Sequence, residues 1–460
     1  MKSDSNIIVH RHLVVSLLEC VKDILGSGYM ADKVVMRALK SHPKWGSRDR
    51  KIFSEGVYEM VRWWKYLLYL NGSSEQELLG DAKDTALNDP LQMWHLWATL
   101  WLWQKGHPPE IKPNADELKT WQPEKTRKLL TKLSVNQDPE TSDDKAHQTS
   151  LHQNSKTDLV PRHILLSVPF WLDQWACQEL GETLWDKTLN ALSKPAPVFI
   201  RANTLKTNPK ELKEHLALEG FLTEDQPELT ELAPHGLRLQ NRGQLFKTKS
   251  FINGFFEVQD GASQQIAPLL RVQPKMRVVD ACAGAGGKTL HIAALMKNQG
   301  QIIACDISAK RLEELSRRLR RNGVQCVQTR VIENTKVIKR LEGSADRLLL
   351  DVPCSGSGVW RRNPDAKWKI KAENLTQLQK TQEEILQRYH QIVRPGGIMV
   401  YATCSIFPSE NQNQIQKFLN LHPFWKMEEE HHFLPGQNDF DGFYAAVLKR
   451  SDSSDEECKP

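Results

Sequence analysis

After Gly261 the chain repeats one pattern, in which an apolar strand ends in small or acidic residues and a helical stretch follows. The segments MRVVDACAGAGGKT, GQIIACD and ADRLLLDVPCSGSG are examples. Such alternation is typical of an α/β fold with a Rossmann-like, doubly wound and mostly parallel sheet. Because ligands of these sheets bind at the carboxyl ends of the strands, we expect the functional residues there.

The preceding part of the chain is organised differently. Residues 1–133 carry apolar side chains at three- to four-residue spacing, which predicts an all-α domain. Residues 134–160 are polar and without period, so we predict a flexible linker. We then expect a small α+β module over residues 161–250, the sheet domain over 251–450 and an acidic tail over 451–460.

The composition narrows the classes of protein to which this chain can belong. No apolar run approaches the roughly 18 residues of a membrane-spanning helix, and the N-terminus lacks a secretory pattern, so we expect a cytoplasmic protein. The eight cysteines show neither CxxC pairs nor zinc-type spacing, so no metal site is expected. The net charge of +6 is mild, but basic residues cluster at 308–322 and 360–371, which suits a polyanion such as RNA. A solvated helix face is the alternative for the first cluster.

The glycine loop VVDACAGAGGKT narrowly fails two phosphate-binding patterns. A P-loop would need glycine at position 282, where this chain has Cys282. A dinucleotide-binding GxGxxG pattern would need glycine at position 289, where it has Thr289. The next strand ends in Asp306, where an acid accepts hydrogen bonds from ribose hydroxyls. A glycine loop and this acid, without a diphosphate pattern, suit S-adenosylmethionine. Capping of the following helix is an equally good explanation of Asp306.

Two cysteines follow strand ends, Cys354 in DVPCSGSG and Cys404 in YATCSIFPSE. A single cysteine beside an apolar strand is more often inert packing than a nucleophile. Two of them at two ends of one predicted sheet favour a functional pair. Asp351, before the first cysteine, would equally suit the Mg²⁺-binding acid of a nucleotide hydrolase, but the failed P-loop disfavours that class.

Residues 251–449 resemble the catalytic domain of the Nol1/Nop2/Sun family of RNA cytosine-5 methyltransferases. The resemblance is carried by VQDGASQ, DACAGAGGKT, DVPCSGSGVWRRNPDAKW, YATCSIFPSENQNQI and DGFYAAVLKR. The helical N-terminal region resembles the NusB-like RNA-binding domain. Together these resemblances imply an enzyme that methylates RNA, with ribosomal RNA as the expected substrate and S-adenosylmethionine as the methyl donor.

The resemblance also implies roles for single residues. Cys404 would add to carbon 6 of cytosine, Cys354 would assist release, and Asp351 would act near N3 of the base. Ala285 stands where the family usually has proline, and an equal-length alignment puts Ile332 rather than an acid after the third strand. The implied cofactor contacts are Cys282, Ala283, Gly284, Ala285, Gly286, Gly287, Lys288, Asp306, Glu333 and Asp351.

RNA contacts are expected from cations near these motifs. The predicted residues are Lys288, Arg361, Arg362, Lys367 and Arg201, with Trp360 and Trp368 as a stacking surface. Lys288 could instead hold backbone carbonyls of the glycine loop. A non-catalytic RNA-binding or ribosome-assembly factor on a methyltransferase fold is the alternative function, and a nucleotide hydrolase is a third.

Overall fold

The computed structural model describes residues 7–80, 83–134, 160–224, 231–241 and 243–452. The chain divides into two compact units, Met1–Gln178 with Asn363–Lys369, and Glu179–Arg362 with Ile370–Pro460. Almost all of the predicted linker, and most of the predicted acidic tail, lie outside the described residues.

The first unit is built mainly of helices. Their bounds are Arg11–Gly26, Ala31–Ser41, Ser47–Arg62, Trp64–Leu70, Lys83–Asn88, Pro90–Lys105, Pro123–Ser134, Arg162–Leu165 and Phe170–Leu180, with a 3₁₀ turn at Asp116–Leu118. A short parallel pair, β1 (Ile8–His10) and β2 (Glu110–Lys112), joins them and was not predicted from the sequence.

The helix Pro90–Lys105 illustrates how the sequence sets these elements. Asp89 accepts hydrogen bonds from the first-turn amides, Pro90 occupies the first position, and Gly106 ends the helix at a φ of 75°. The helix carries apolar side chains around its whole circumference, so it is buried inside the unit. Trp97, for example, is 2% exposed.

The segment Asn363–Lys369 packs within the first unit. The Asp365 carboxylate accepts from the Ala31 amide at 3.1 Å, at the start of the second helix. Lys367 Nζ donates to the Arg62 carbonyl at 2.8 Å, at the end of the third helix. The Asp365 carboxylate complements the helix dipole, and Lys367 satisfies a helix-end carbonyl, so both contacts stabilise the segment.

The second unit contains a seven-stranded sheet in the order β12-β13-β11-β10-β7-β8-β9. The strands from β11 to β9 are parallel, and β13 pairs antiparallel with β11 and β12. The predicted doubly wound α/β fold is confirmed. The bounds are β7 (Arg277–Asp280), β8 (Gln301–Asp306), β9 (Val327–Val331), β10 (Ala345–Asp351), β11 (Val393–Thr403), β12 (Trp425–Phe433) and β13 (Phe443–Arg450).

A four-stranded antiparallel sheet in the order β4-β5-β3-β6 completes the strands of this unit. It comprises β3 (Val198–Ala202), β4 (Thr223–Glu224), β5 (Gly236–Leu239) and β6 (Phe256–Val258). The helices of the unit are Glu182–Ser193, Pro209–Leu218, Lys249–Ile252, Gly261–Ile266, Gly287–Leu295, Ala309–Asn322, Thr335–Lys339, Ala372–Tyr389 and Gln412–Leu421.

The seven-stranded sheet has an apolar layer on each face. Leu348 and Leu350 of β10 point into one layer, and Leu349 between them points into the other. Burial on both faces explains the continuous apolar run in this strand. The strand β7 lies between β8 and β10, so the chain crosses over in opposite directions on its two sides and opens a crevice at the carboxyl ends of these strands.

Candidate active site

One cavity of about 760 Å³ lies at this crevice, inside the second unit. All residues of the glycine loop from 282 to 288 line it, together with Asp306, Asp351, Cys354 and Cys404. Pockets for small molecules commonly measure about 300–1,000 Å³. The structure therefore brings the predicted cofactor loop, the strand-end acids and both cysteines to one space large enough for a cofactor.

The glycine loop turns between β7 and the following helix at two residues with positive φ, Gly284 at 55° and Gly286 at 86°. A Cβ at Gly286 would lie 2.0 Å from Leu315 Cδ1, so only glycine fits there. At Gly284 and Gly287 a Cβ would meet no described atom within 4 Å. These two positions therefore open the loop backbone to the cavity.

Asp306, at the end of β8, holds the loop from one side. Its Oδ2 accepts from the Gly284 amide at 2.9 Å, and its Oδ1 accepts from the Ser308 amide at 2.8 Å. The side chain of Ser308 caps the following helix. Asp306 therefore ties the glycine loop to the helix start, while it lines the cavity at the predicted ribose position.

Two arginines bind carbonyls of the loop. Arg318 donates to the Ala285 carbonyl at 2.7 Å and to the carboxylate of Glu257 at 2.8 Å. Arg201 of β3 donates to the Gly287 carbonyl at 3.1 Å, and burial lowers its pKa to about 9. Arg201 is 3% exposed. Its guanidinium supports the glycine loop from the interior, which leaves it no surface for the RNA contact predicted from the sequence.

Lys288 and Asp351 form an ion pair on the cavity wall, with Nζ 2.7 Å from Oδ2. Burial lowers the pKa of Lys288, but Asp351 and, more weakly, Cys404 outweigh it, so that the net pKa is raised. The ammonium also lies 5.0 Å from the ring centroid of Phe443. Lys288 is therefore a cation held between the strand-end acid and the cysteine pair.

Asp280 is buried at the end of β7 beneath the loop. Burial raises the pKa of this carboxyl to about 7, although Thr289 Oγ1 donates to its Oδ2 at 2.7 Å. Burial and the neighbouring acids likewise raise the pKa of the Cys282 thiol well above its ordinary value. Cys282 is thus held as a neutral thiol in the cavity wall.

The two predicted catalytic cysteines lie side by side, with 3.4 Å between Cys354 Sγ and Cys404 Sγ. Their strands β10 and β11 are parallel neighbours in register, Asp351 opposite Ala402, which sets this approach. The hydrogen bond to Cys404 and burial raise the pKa of the Cys354 thiol well above its ordinary value. The raised pKa favours the protonated form of Cys354, and either sulfur can donate in the contact between them.

Sequence reasoning missed a buried network behind these sulfurs. Glu410 is fully buried and accepts hydrogen bonds from Ser355 and Ser405, each next to one of the cysteines, and from Gln382. Glu410 lies in the quoted motif YATCSIFPSENQNQI, but nothing in the pattern distinguished it from an exposed loop acid.

Several predicted contacts are placed away from the cavity or inside the protein. Glu333 is exposed, whereas its neighbour Ile332 lines the cavity, so the acid predicted after the third strand does not reach the site. Lys367 is buried in the first unit, and burial lowers its pKa well below the ordinary value. Trp360 and Trp368 are 2% and 7% exposed, which is too little for a base-stacking surface.

The predicted RNA contacts Arg361 and Arg362 bind acids of the protein itself. Arg361 Nε donates to Asp441 at 2.5 Å, and its side chain is 1% exposed. Arg362 pairs with Asp441 and, at 2.8 Å, with Asp260. Arg361 is structural, while Arg362, 29% exposed, still lines the cavity.

The described residues contain no cluster of three or more His, Cys, Asp or Glu side chains that could hold a metal ion. In the same part of the chain, none of the helices has the length and apolarity needed to cross a bilayer.

Comparison with known proteins identifies the family. Residues 267–449 match the family model of the 16S rRNA methyltransferase RsmB/F, and residues 168–245 match the ferredoxin-like domain of RsmF/B-like methyltransferases. The probable ribosomal RNA small subunit methyltransferase B of Synechocystis is 33% identical over 303 residues, which cover 62% of this chain and 67% of that protein. The chain belongs to the RsmB/F family.

A second RsmB/F relative, ribosomal RNA small subunit methyltransferase B of Pasteurella multocida, is 34% identical over 293 residues, 60% of this chain and 64% of that protein. The chain thus aligns with about two thirds of the length of these relatives. The crystal structure of PH0851 has a TM-score of 0.72 at 24% identity and covers 95% of this chain and 98% of that one. At that identity the structural likeness shows the fold alone.

Proposed function

We propose that this RsmB/F family member transfers a methyl group from S-adenosylmethionine to carbon 5 of a cytosine in ribosomal RNA, through a covalent bond between Cys404 and carbon 6. The observation that carries the proposal is the 3.4 Å approach of Cys354 and Cys404 in the cavity that also holds the glycine loop. Membership of an rRNA methyltransferase family supports the methyl donor and the substrate class.

The cavity residues fit the methyl donor. The backbone at Gly284 and Gly287 is open to the cavity, and Asp306 lies where an acid would accept hydrogen bonds from a ribose. When bound, S-adenosylmethionine supplies an electrophilic methyl group. The glycine loop and Asp306 would hold it, and Ile307, 77% exposed beside Asp306, offers an apolar surface to its base.

The nucleophile in this proposal is the Cys404 thiolate. Its sulfur forms a bond to carbon 6 of cytosine, and the electron pair of the C5–C6 double bond makes carbon 5 nucleophilic enough to take the methyl group. Lys288 donates a hydrogen bond at the N3 edge of the base, where negative charge develops, and Asp351 accepts from the exocyclic amine. Both side chains line the cavity and form an ion pair of 2.7 Å, which supports their contact with one edge of the base.

Release completes the proposed cycle. Carbon 5 loses its proton to a solvent water molecule, the electron pair of that C–H bond restores the C5–C6 double bond, and the C6–S bond breaks as Cys404 leaves as a thiolate. We assign Cys354 to this step. Its raised pKa keeps it a thiol, 3.4 Å from the departing sulfur, where it can hydrogen-bond the thiolate. The target base must be unpaired or flipped out of its stack to reach the cysteines.

The test uses the full-length protein, ribosomal RNA from cells that lack the gene, and radiolabelled S-adenosylmethionine. Wild type should form 5-methylcytidine, detected by nucleoside mass spectrometry. Cys404→Ala should abolish both product and adduct, whereas Cys354→Ala should accumulate a protein–RNA adduct that survives denaturing electrophoresis. Cys326 is a half-buried thiol directly before β9 and does not line the cavity, so Cys326→Ala is the matched control and should behave as wild type. Methyl transfer by Cys404→Ala at the wild-type rate would disprove the mechanism.

A further inference from the structure

The loops that carry Cys354 and Cys404 are joined behind the sulfurs by one carboxylate. Glu410, Ser405 and Gln382 are each fully buried. Buried carboxylates are retained where hydrogen bonds replace the lost hydration, and bonds to a charged acceptor are the stronger ones. The position of Glu410 is therefore tightly specified by the groups that donate to it.

Each oxygen of Glu410 binds two donors. Oε1 accepts from the Ser355 amide at 2.9 Å and from Gln382 Nε2 at 3.0 Å. Oε2 accepts from the hydroxyls of Ser355 and Ser405, both at 2.5 Å. Ser355 follows Cys354 and Ser405 follows Cys404, so one side chain binds the residue next to each sulfur.

Glu410 is itself anchored on two sides, through its backbone carbonyl and through its carboxylate. The Tyr401 hydroxyl, on β11, donates to the Glu410 carbonyl at 2.7 Å. Gln382, on the helix Ala372–Tyr389, donates to the Pro353 carbonyl at 3.0 Å as well as to Glu410. The two cysteine loops are thus attached to a strand and a helix of the sheet domain, not only to each other.

We propose that Glu410 is a positioning residue that fixes the separation of the two thiols by binding Ser355 and Ser405 at the same time. It touches neither sulfur and acts through the two loops. The inference rests on the proposed function for its catalytic consequence, whereas its geometric content concerns the resting protein alone.

Two substitutions separate hydrogen-bond geometry from charge. In Glu410→Gln the amide oxygen can accept from the Ser355 amide and Gln382, and the amide nitrogen can donate to the two serine hydroxyls, which rotate to accept. The linkage survives without the charge. In Glu410→Ala every bond is lost. Gln414→Ala removes a buried amide of the neighbouring helix that donates to the Ser409 and Gln379 carbonyls, and it is the structural control.

The readout is the alkylation rate of Cys354 by iodoacetamide at pH 8 in the full-length protein without RNA, measured by peptide mass spectrometry. In wild type the contact with Cys404 and burial keep this thiol protonated and slow. Glu410→Ala should raise the rate at least about tenfold, the change in thiolate fraction that one pKa unit gives. Glu410→Gln and Gln414→Ala should keep the wild-type rate, and Cys305, buried in β8, reports any global unfolding.

Methyl transfer is measured on the same proteins. Glu410→Ala should lower kcat with the KM for RNA unchanged, and Glu410→Gln should restore it. The proposal is overturned if Glu410→Ala leaves the Cys354 rate unchanged, or if Glu410→Gln matches Glu410→Ala, because charge rather than geometry would then be responsible. If Cys305 also reacts in Glu410→Ala, Ser405→Ala decides: an unchanged Cys354 rate there refutes the linkage. Absence of 5-methylcytidine in wild type would refute the proposed function but not the alkylation result.

Discussion

Alanine at Gly286 should destabilise the second unit by an amount that the structure allows us to work out. The residue has a φ of 86°, and its new Cβ would lie 2.0 Å from Leu315 Cδ1 and 3.0 Å from Leu315 Cγ. Left-handed backbone costs a non-glycine residue about 1–2 kcal/mol, and overpacking a core costs about 1–3 kcal/mol. Because Leu315 is fully buried, it cannot turn away freely, and we expect a loss of about 2–5 kcal/mol in the free energy of unfolding.

The same substitution at Gly287 separates stability from ligand binding. Gly287 begins a helix, and among the described residues no atom would lie within 4 Å of its Cβ. Alanine there should leave the free energy of unfolding unchanged or raise it by up to about 1 kcal/mol, since alanine is the better helix former. Its methyl group would nevertheless occupy the cavity wall where the cofactor is proposed to bind. We expect the affinity for S-adenosylmethionine to fall at least about tenfold, equivalent to about 1.4 kcal/mol.

The assays are urea denaturation of the full-length chain for stability and isothermal titration calorimetry with S-adenosylmethionine for binding. Gly286→Ala should unfold at lower urea concentration than wild type. Gly287→Ala should unfold at the same or a slightly higher urea concentration but bind S-adenosylmethionine more weakly. Equal stability of the two variants would refute the packing argument. Wild-type affinity in Gly287→Ala would refute the assignment of the glycine loop to the methyl donor.

Two further substitutions test charges buried in the second unit. Arg361→Met should lower the free energy of unfolding by about 1.5–3 kcal/mol, because the buried Asp441 carboxylate keeps Arg362 but loses one charged partner, and should leave the salt dependence of RNA binding unchanged; a smaller salt slope with normal stability would restore the phosphate contact predicted for Arg361. Asp280 keeps its proton in the folded state up to about pH 7, whereas the unfolded chain loses it near pH 4, so stability falls by about 4 kcal/mol as pH rises across that range. Asp280→Asn should remove this fall, which urea denaturation at pH 5 and pH 8 would measure, and an unchanged pH dependence would contradict the raised pKa.

The strand-end residues could be located from the sequence because parallel strands leave little freedom there. Asp306, Asp351 and Cys404 each directly follow or close an apolar strand, and the carboxyl ends of parallel strands meet at one edge of the sheet. The pattern and spacing of the sequence were therefore enough to predict that these residues lie together in one cavity. The short parallel strands β1 and β2 were missed because three-residue elements carry too few residues to show a period.

The basic residues could not be assigned in the same way. Whether a basic side chain binds RNA or binds another group of the protein depends on the group that faces it in the fold. That group is remote in sequence. The acid opposite Arg361 is Asp441, 80 residues later, and the carbonyl opposite Lys367 is that of Arg62, 305 residues earlier. The local charge density therefore showed where basic residues cluster. It could not show that acids and carbonyls of the protein itself bind them.

The protein compensates the charges of the three strand-end acids of the cavity to different extents, and this difference matters for a cationic methyl donor. Asp280 is neutral over much of the pH range because burial raises its pKa, and Asp351 is neutralised by the Lys288 ion pair. Asp306 accepts hydrogen bonds from two backbone amides, which orient its carboxylate but supply no opposite full charge. Uncompensated charge on all three would draw a sulfonium toward the strand ends without orienting it. With two of them compensated, Asp306 is the strand-end acid that would remain available to the ribose of the proposed methyl donor.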